Sequence, residues 1–94
     1  MSDKTASVAD MLARLYAQSF GGKASGRYRV PQKLLREMFG VRRLYADDIE
    51  RLHRTLFERG YLLIDMDSFY VIMSTNSFVN YRRLSHDAIN EVAG

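Results

Sequence analysis

DDIERLHRTLFERGYLLIDMDSFYVIM, residues 47–73, reads as a helix, a glycine stop and a tight β-hairpin, and the rest of the chain organises around it. Ile49, Leu52, His53, Leu56 and Phe57 recur at helical spacing and make one largely apolar stripe. On that stripe His53 is expected to be packed and hydrogen-bonded rather than a ligand. Asp47 with Glu50 three residues later predicts a capping box. Gly60 directly follows the last turn, where a left-handed residue commonly ends a helix. Two short runs follow, Tyr61–Met66 and Phe69–Met73, rich in aromatic and β-branched residues and split by Asp67-Ser68. A two-residue loop there sets Met66 against Phe69, Ile64 against Val71 and Leu62 against Met73, all apolar and on one face. A one-residue slip would break that face, so the pattern predicts this register and places Leu62, Ile64 and Val71 in the core. The other face carries Asp65 opposite Tyr70 and Leu63 opposite Ile72. It is too apolar to stand in water. Leu63, Tyr70 and Ile72 are therefore expected to be covered, either by the C-terminal segment folding back or by a second subunit.

Working outward toward the N-terminus, Val8, Met11, Leu12, Leu15 and Tyr16 predict a helix over 8–20, with Ser7 as its N-cap and Gly21-Gly22 as its stop. A flexible connector, GGKASG, precedes a very short strand at Tyr28-Arg29-Val30. Pro31 suits the first turn of a second helix, where its missing N–H costs nothing. Leu34, Leu35, Met38 and Phe39 are that helix's buried face, and Gly40 ends it. Gly40–Tyr45 is then a short bridge in which Val41 and Leu44 tuck inward while Arg42 and Arg43 stay in water. Past the hairpin, Ser74–Ser77 is a polar break, and Ser85 is placed to cap a separate short helix over 86–92.

Composition bounds what such a chain does. Ninety-four residues with 47% hydrophobic and 27% charged side chains make one globular domain. There is no cysteine, hence no disulfide framework and no Cys-based zinc site. His86 has no second histidine near it, and Ser85-His86-Asp87 are adjacent, which denies them the geometry of a hydrolase triad. Arg82-Arg83-Leu84-Ser85 has the form of a basophilic kinase site, a short motif that recurs by chance. No glycine-rich phosphate loop is present, and the carboxylates show no general acid–base spacing. No enzyme, metal or cofactor is expected. The start of the chain lacks a long apolar core and no run approaches a membrane span, so a soluble, cytoplasmic protein is the expectation. The net charge of +3 is uneven: +4 over 1–40, +1 over 41–60 and −2 over 61–94. Lys23, Arg27, Arg29, Lys33, Arg36, Arg42 and Arg43 are either a phosphate-contacting surface or ordinary scattered charge.

The order helix, short strand, helix, tight turn, helix, glycine, hairpin over residues 8–73 resembles the winged helix-turn-helix superfamily. Pro31–Phe39 match its second helix, Gly40–Tyr45 its turn, Asp47–Arg59 its third helix, and RGYLLIDMDSFYVIM its wing. The resemblance implies that the third helix enters the major groove of double-stranded DNA. Arg51 and Arg54, opposite the apolar stripe, would then face bases, and Arg42 and Arg43 would sit near phosphates. The sequence departs from that pattern in its acidic helix start (Asp47, Asp48, Glu50) and acidic hairpin tip (Asp65, Asp67). Asp47–Arg51, Glu50–Arg54 and Arg54–Glu58 also stand at a spacing that allows mutual neutralisation.

The expectation is thus a mainly α chain with a small β-hairpin. It is a winged helix-turn-helix of three helices plus wing, a single domain over 1–94 with its core unit at 8–73 and a tail at 74–94. Leu12, Leu15, Leu35, Met38, Ile49, Leu52, Leu56, Leu62, Ile64 and Val71 are its predicted core. DNA contacts fall to Arg27, Arg29, Lys33, Arg36, Arg42, Arg43, Arg51 and Arg54, in a small transcriptional regulator. The alternative is a protein-interaction module that uses the same fold without DNA. A homodimer is expected through Leu63, Tyr70, Ile72, Phe78, Tyr81, Leu84 and Ile89.

Overall fold

In the computed structural model, which describes residues 4–94, the chain runs α1 (Thr5–Tyr16), β1 (Tyr28–Pro31), α2 (Gln32–Phe39), α3 (Ala46–Glu58), β2 (Tyr61–Asp65), β3 (Phe69–Ser74), a 3-10 turn (Thr75–Phe78) and α4 (His86–Ala93). Four helices thus accompany an antiparallel sheet of three strands in the order β1-β3-β2, rather than a hairpin alone. The short run Tyr28-Arg29-Val30 supplies the third strand, and Pro31 closes it at the sheet edge, where a missing N–H is tolerated.

The hairpin has the expected register: Leu62 opposes Met73, Leu63 opposes Ile72, Ile64 opposes Val71 and Asp65 opposes Tyr70. Its turn is the two-residue Asp67-Ser68 loop, with Asp67 at φ 74 and its N–H bonded to the Asp65 carboxylate at 2.8 Å. Aspartate tolerates that left-handed backbone.

The face assignment is reversed for all but Met73, which stays buried at 9%. Leu63 and Tyr70 are each 5% exposed and Ile72 0%, so these three are core and not partner contacts. Leu62, Ile64 and Val71, expected inside, are half-buried on the outer face. The tail does not cover Leu63 and Ile72; helices do. The cause lies in the connections. Only Arg59 and Gly60 (φ 89) separate α3 from β2, so the phase of the strand is set by the helix end. That turn points Tyr61 and Leu63 inward, and the Tyr61 ring packs on Tyr16 of α1 at 5.2 Å. On the far side of β3, β1 adds Val30 and Tyr28 to the same inner face.

The core therefore lies between this face and three helices. α1 supplies Val8, Ala9 and Leu12, α2 supplies Leu35, and α3 supplies Leu52 and Leu56. Leu15, Met38 and Ile49 pack against it part-buried, while Leu34 of the predicted face is exposed. Tyr28 crosses from sheet to helix, its hydroxyl donating to the Leu12 carbonyl. Arg59 and Asp10 tie the end of α3 to α1 at 2.7 Å.

Helix ends differ from expectation in instructive ways. α1 begins after Lys4, with Ser7 inside it donating to the Lys4 carbonyl, and ends at Tyr16, short of the glycines. Gly21 and Gly22 instead make a tight reversal bridged by Phe20 and Lys23. Pro31 is the N-cap of α2 rather than its first residue, and Gly40 ends the helix at φ 71, as expected. The N-cap of α3 falls two residues early, at Tyr45 rather than Asp47: the Asp48 carboxylate, not Glu50, reaches back to the Tyr45 amide at 2.8 Å. α4 starts as predicted, with Ser85 Oγ accepting from the Ala88 amide. None of its residues is buried, and the radius of gyration, 16.2 Å, exceeds the roughly 12 Å of a compact chain this long. Thr75 still bonds to the Gly60 carbonyl at the start of the tail, and α4 beyond it stands off the body.

Candidate nucleic-acid interface

The sequence-predicted cations divide among three places. Arg51 and Arg54 project from α3, away from Leu52 and Leu56, as the helical wheel requires. Both are paired. Arg51 reaches Asp48 at 2.6 Å, one position from the expected Asp47, and Arg54 reaches Glu50 at 3.6 Å. No Arg54–Glu58 pair forms among the described residues. The Arg54–Glu50 pair is largely exposed and the Arg51–Asp48 pair partly so, and water screens both enough for an anionic ligand to compete with the carboxylates.

Arg36, Arg42 and Arg43 converge. Arg36 projects from α2 and the other two from the bridge that Gly40 turns toward α3; with Gln32, Leu44 and Tyr70 they line a cleft of about 250 Å³. None of the three is in an ion pair among the described residues, and Arg43 lies over the Tyr45 ring at 5.8 Å. The Gln32 side-chain amide donates to the Asp67 carbonyl and so ties the start of α2 to the hairpin turn.

Arg27 and Arg29 lie elsewhere. With Lys23, Phe20 and Tyr28 they line a second basic cleft, of about 380 Å³, beside the glycine reversal. Arg29 alternates with inward Tyr28 and Val30, so it emerges on the outer sheet face, stacked over Phe69 at 5.5 Å. One basic surface running from the connector to the α2–α3 bridge therefore does not form. Lys33 is exposed and lines neither cleft.

Between α3 and the hairpin runs a broader groove of about 780 Å³, lined among others by Tyr45, Ile49, His53, Phe57, Leu63 and Tyr70. His53 is exposed here, not packed, because the buried stripe narrows to Leu52 and Leu56. Phe57, half of that predicted stripe's end, is also exposed. Leu44 and Tyr70 belong to both the groove and the arginine cleft and so join them. The Tyr70 phenol is held above the usual tyrosine value, first by burial and then by Asp65 on the groove side, with Arg36 on the cleft side opposing. It is an O–H donor at neutral pH.

Sequence reading missed Gln32 and Tyr70 as cleft residues. Gln32 carries no charge signal, and Tyr70 reaches the cleft only because its face of β3 turns inward. Of the tail residues, Tyr81, Leu84 and Ile89 are exposed, and Phe78 stacks edge-on against Tyr81 at 5.1 Å. No group of three or more histidine, cysteine, aspartate or glutamate side chains able to hold a metal occurs among the described residues. No helix among them is long and apolar enough to cross a membrane. No family model matches this chain, and no curated protein or solved structure matches it.

Proposed function

We propose that the chain is a small winged-helix DNA-binding protein acting as a transcriptional regulator. The element order from α1 to β3 and the β1-β3-β2 sheet fit that architecture, with α2 and α3 as the helix-turn-helix and β2–β3 as the wing. The observation that carries the reading is the convergence of Arg36, Arg42 and Arg43, without carboxylate partners among the described residues, beside the turn that leads into α3. A recognition helix laid in the major groove brings that turn against the backbone. Arg51 and Arg54 are the base-reading candidates once they exchange Asp48 and Glu50 for DNA. Two copies joined through the exposed Tyr81, Leu84 and Ile89 would double the contacts and set a half-site spacing.

A second reading is a protein-interaction module. It is favoured by the α3 ion pairs and by the apolar outer sheet face, where Met66 stands 49% exposed. A mobility-shift titration on random duplex separates the two. The DNA reading expects retention at low salt that falls steeply as salt rises, weakened on every sequence by replacing Arg42 and Arg43 together with alanine. Absence of retention at low salt defeats it in favour of the second.

A further inference from the structure

The arginine cleft holds more than charge. Three arginines line one small cleft, and no carboxylate pairs with them among the described residues. An oxyanion seated there would be within their reach for charge-assisted hydrogen bonds. Tyr70 gives an independent pointer. Its side chain is 5% exposed, yet its hydroxyl bonds to no group of the protein among the described residues. No fully buried side-chain oxygen or nitrogen among them lacks a partner, so the Tyr70 oxygen keeps some access to solvent, on a side chain that lines both the arginine cleft and the α3 groove. An unused O–H on a residue that shares a cleft with three arginines is available to donate there. Gln32 spends one N–H on the Asp67 carbonyl and keeps the other.

We propose that Arg36, Arg42, Arg43, Gln32 and the Tyr70 hydroxyl form a socket for a single phosphodiester group of the DNA backbone. The guanidinium groups supply attraction, and Tyr70 and Gln32 supply neutral donors that fix the phosphate's position. The choice of a backbone phosphate rests on the DNA-binding reading and on the continuity of the cleft with the α3 groove through Leu44 and Tyr70. A duplex lying along α3 passes its backbone over this point. The Gln32–Asp67 link also couples the socket to the hairpin turn, so a seated phosphate would hold the hairpin against the helices.

The test uses the intact chain and a fluorescent random duplex. Tyr70→Phe removes a hydroxyl that makes no bond within the protein, so the melting temperature is unchanged. Affinity falls about ten-fold or more for loss of one hydrogen bond to a charged group. Because no charge is lost, the slope of log K against log salt stays the same. Arg36→Gln weakens binding and also lowers that slope by about 0.9, the signature of one phosphate contact. If the wild-type chain binds duplex and both variants bind as well, the socket is overturned and the DNA reading stands. If the wild-type chain retains no duplex, the DNA reading and the backbone assignment fail together. A titration with inorganic phosphate, read at the arginine Nε–H signals, then judges the site alone. Saturable shifts at Arg36, Arg42 and Arg43 that Tyr70→Phe weakens support an oxyanion socket for free phosphate, and their absence overturns it.

Discussion

Ile72→Ala, set beside Val71→Ala, tests the inward face of the sheet, on which everything about the cleft depends. Ile72 is 0% exposed, whereas its neighbour Val71 is half-buried on the outer face. Truncating Ile72 removes three carbons from a closed environment. At about 0.8 kcal/mol per buried carbon, the transfer loss is about 2.4 kcal/mol. The cavity left behind adds to this, and buried isoleucine-to-alanine changes span about 2–5 kcal/mol. For a domain of this size 1 kcal/mol moves the melting temperature by about 4–8 °C, so the transfer loss alone lowers it by about 10–20 °C. Val71→Ala removes two carbons that are already partly in water, and its cost is expected below about 1 kcal/mol. Urea unfolding followed by circular dichroism measures both, with the slope of the transition checked for constancy between variants. If Val71→Ala costs as much as Ile72→Ala or more, the sheet faces the other way and Tyr70 cannot stand in the arginine cleft.

Two further predictions concern the tyrosines and the tail. Tyr28 is held above its ordinary value of 10.0, by burial first and Tyr61 second, and Tyr70 is raised as well. Raised folded-state values mean stabilisation that is complete below about pH 10 and is lost as pH rises through them. Unfolding midpoints are therefore expected to hold near neutrality and fall above pH 10, with late tyrosinate absorbance at 295 nm rising together with unfolding; a stability that climbs above pH 10 contradicts this. Deleting residues 85–94 removes only unburied residues, so it is expected to change stability by less than about 0.5 kcal/mol. On the dimer reading the same deletion lowers the solution mass measured by sedimentation, and an intact chain that is monomeric at high micromolar concentration refutes that reading.

Local chemistry was legible in the sequence wherever a residue acts on its own stretch of chain. Gly40 and Gly60 stop helices because only a left-handed backbone turns the chain there, and both take positive φ. Ser85 caps α4 because its hydroxyl reaches an amide three residues on. The hairpin register follows from strict two-residue alternation around Asp67-Ser68, which any partner strand must respect. Alternation does not say which of two apolar faces turns inward. Leu62, Ile64 and Val71 make the cleaner set, while Leu63 and Ile72 share their face with Asp65. The decision belonged to long-range geometry: the short Arg59-Gly60 link phases β2 against α3, and β1, more than thirty residues away in the chain, adds Val30 to the same side of β3. The fate of the arginines divides in the same way. That Arg51 and Arg54 leave the core side of α3 is a property of helical spacing. That Arg36, Arg42 and Arg43 meet at Tyr70 while Arg29 emerges on the opposite face of the sheet is a property of how the elements pack. Side chains from separate elements acquire neighbours only when the hydrophobic core brings those elements together.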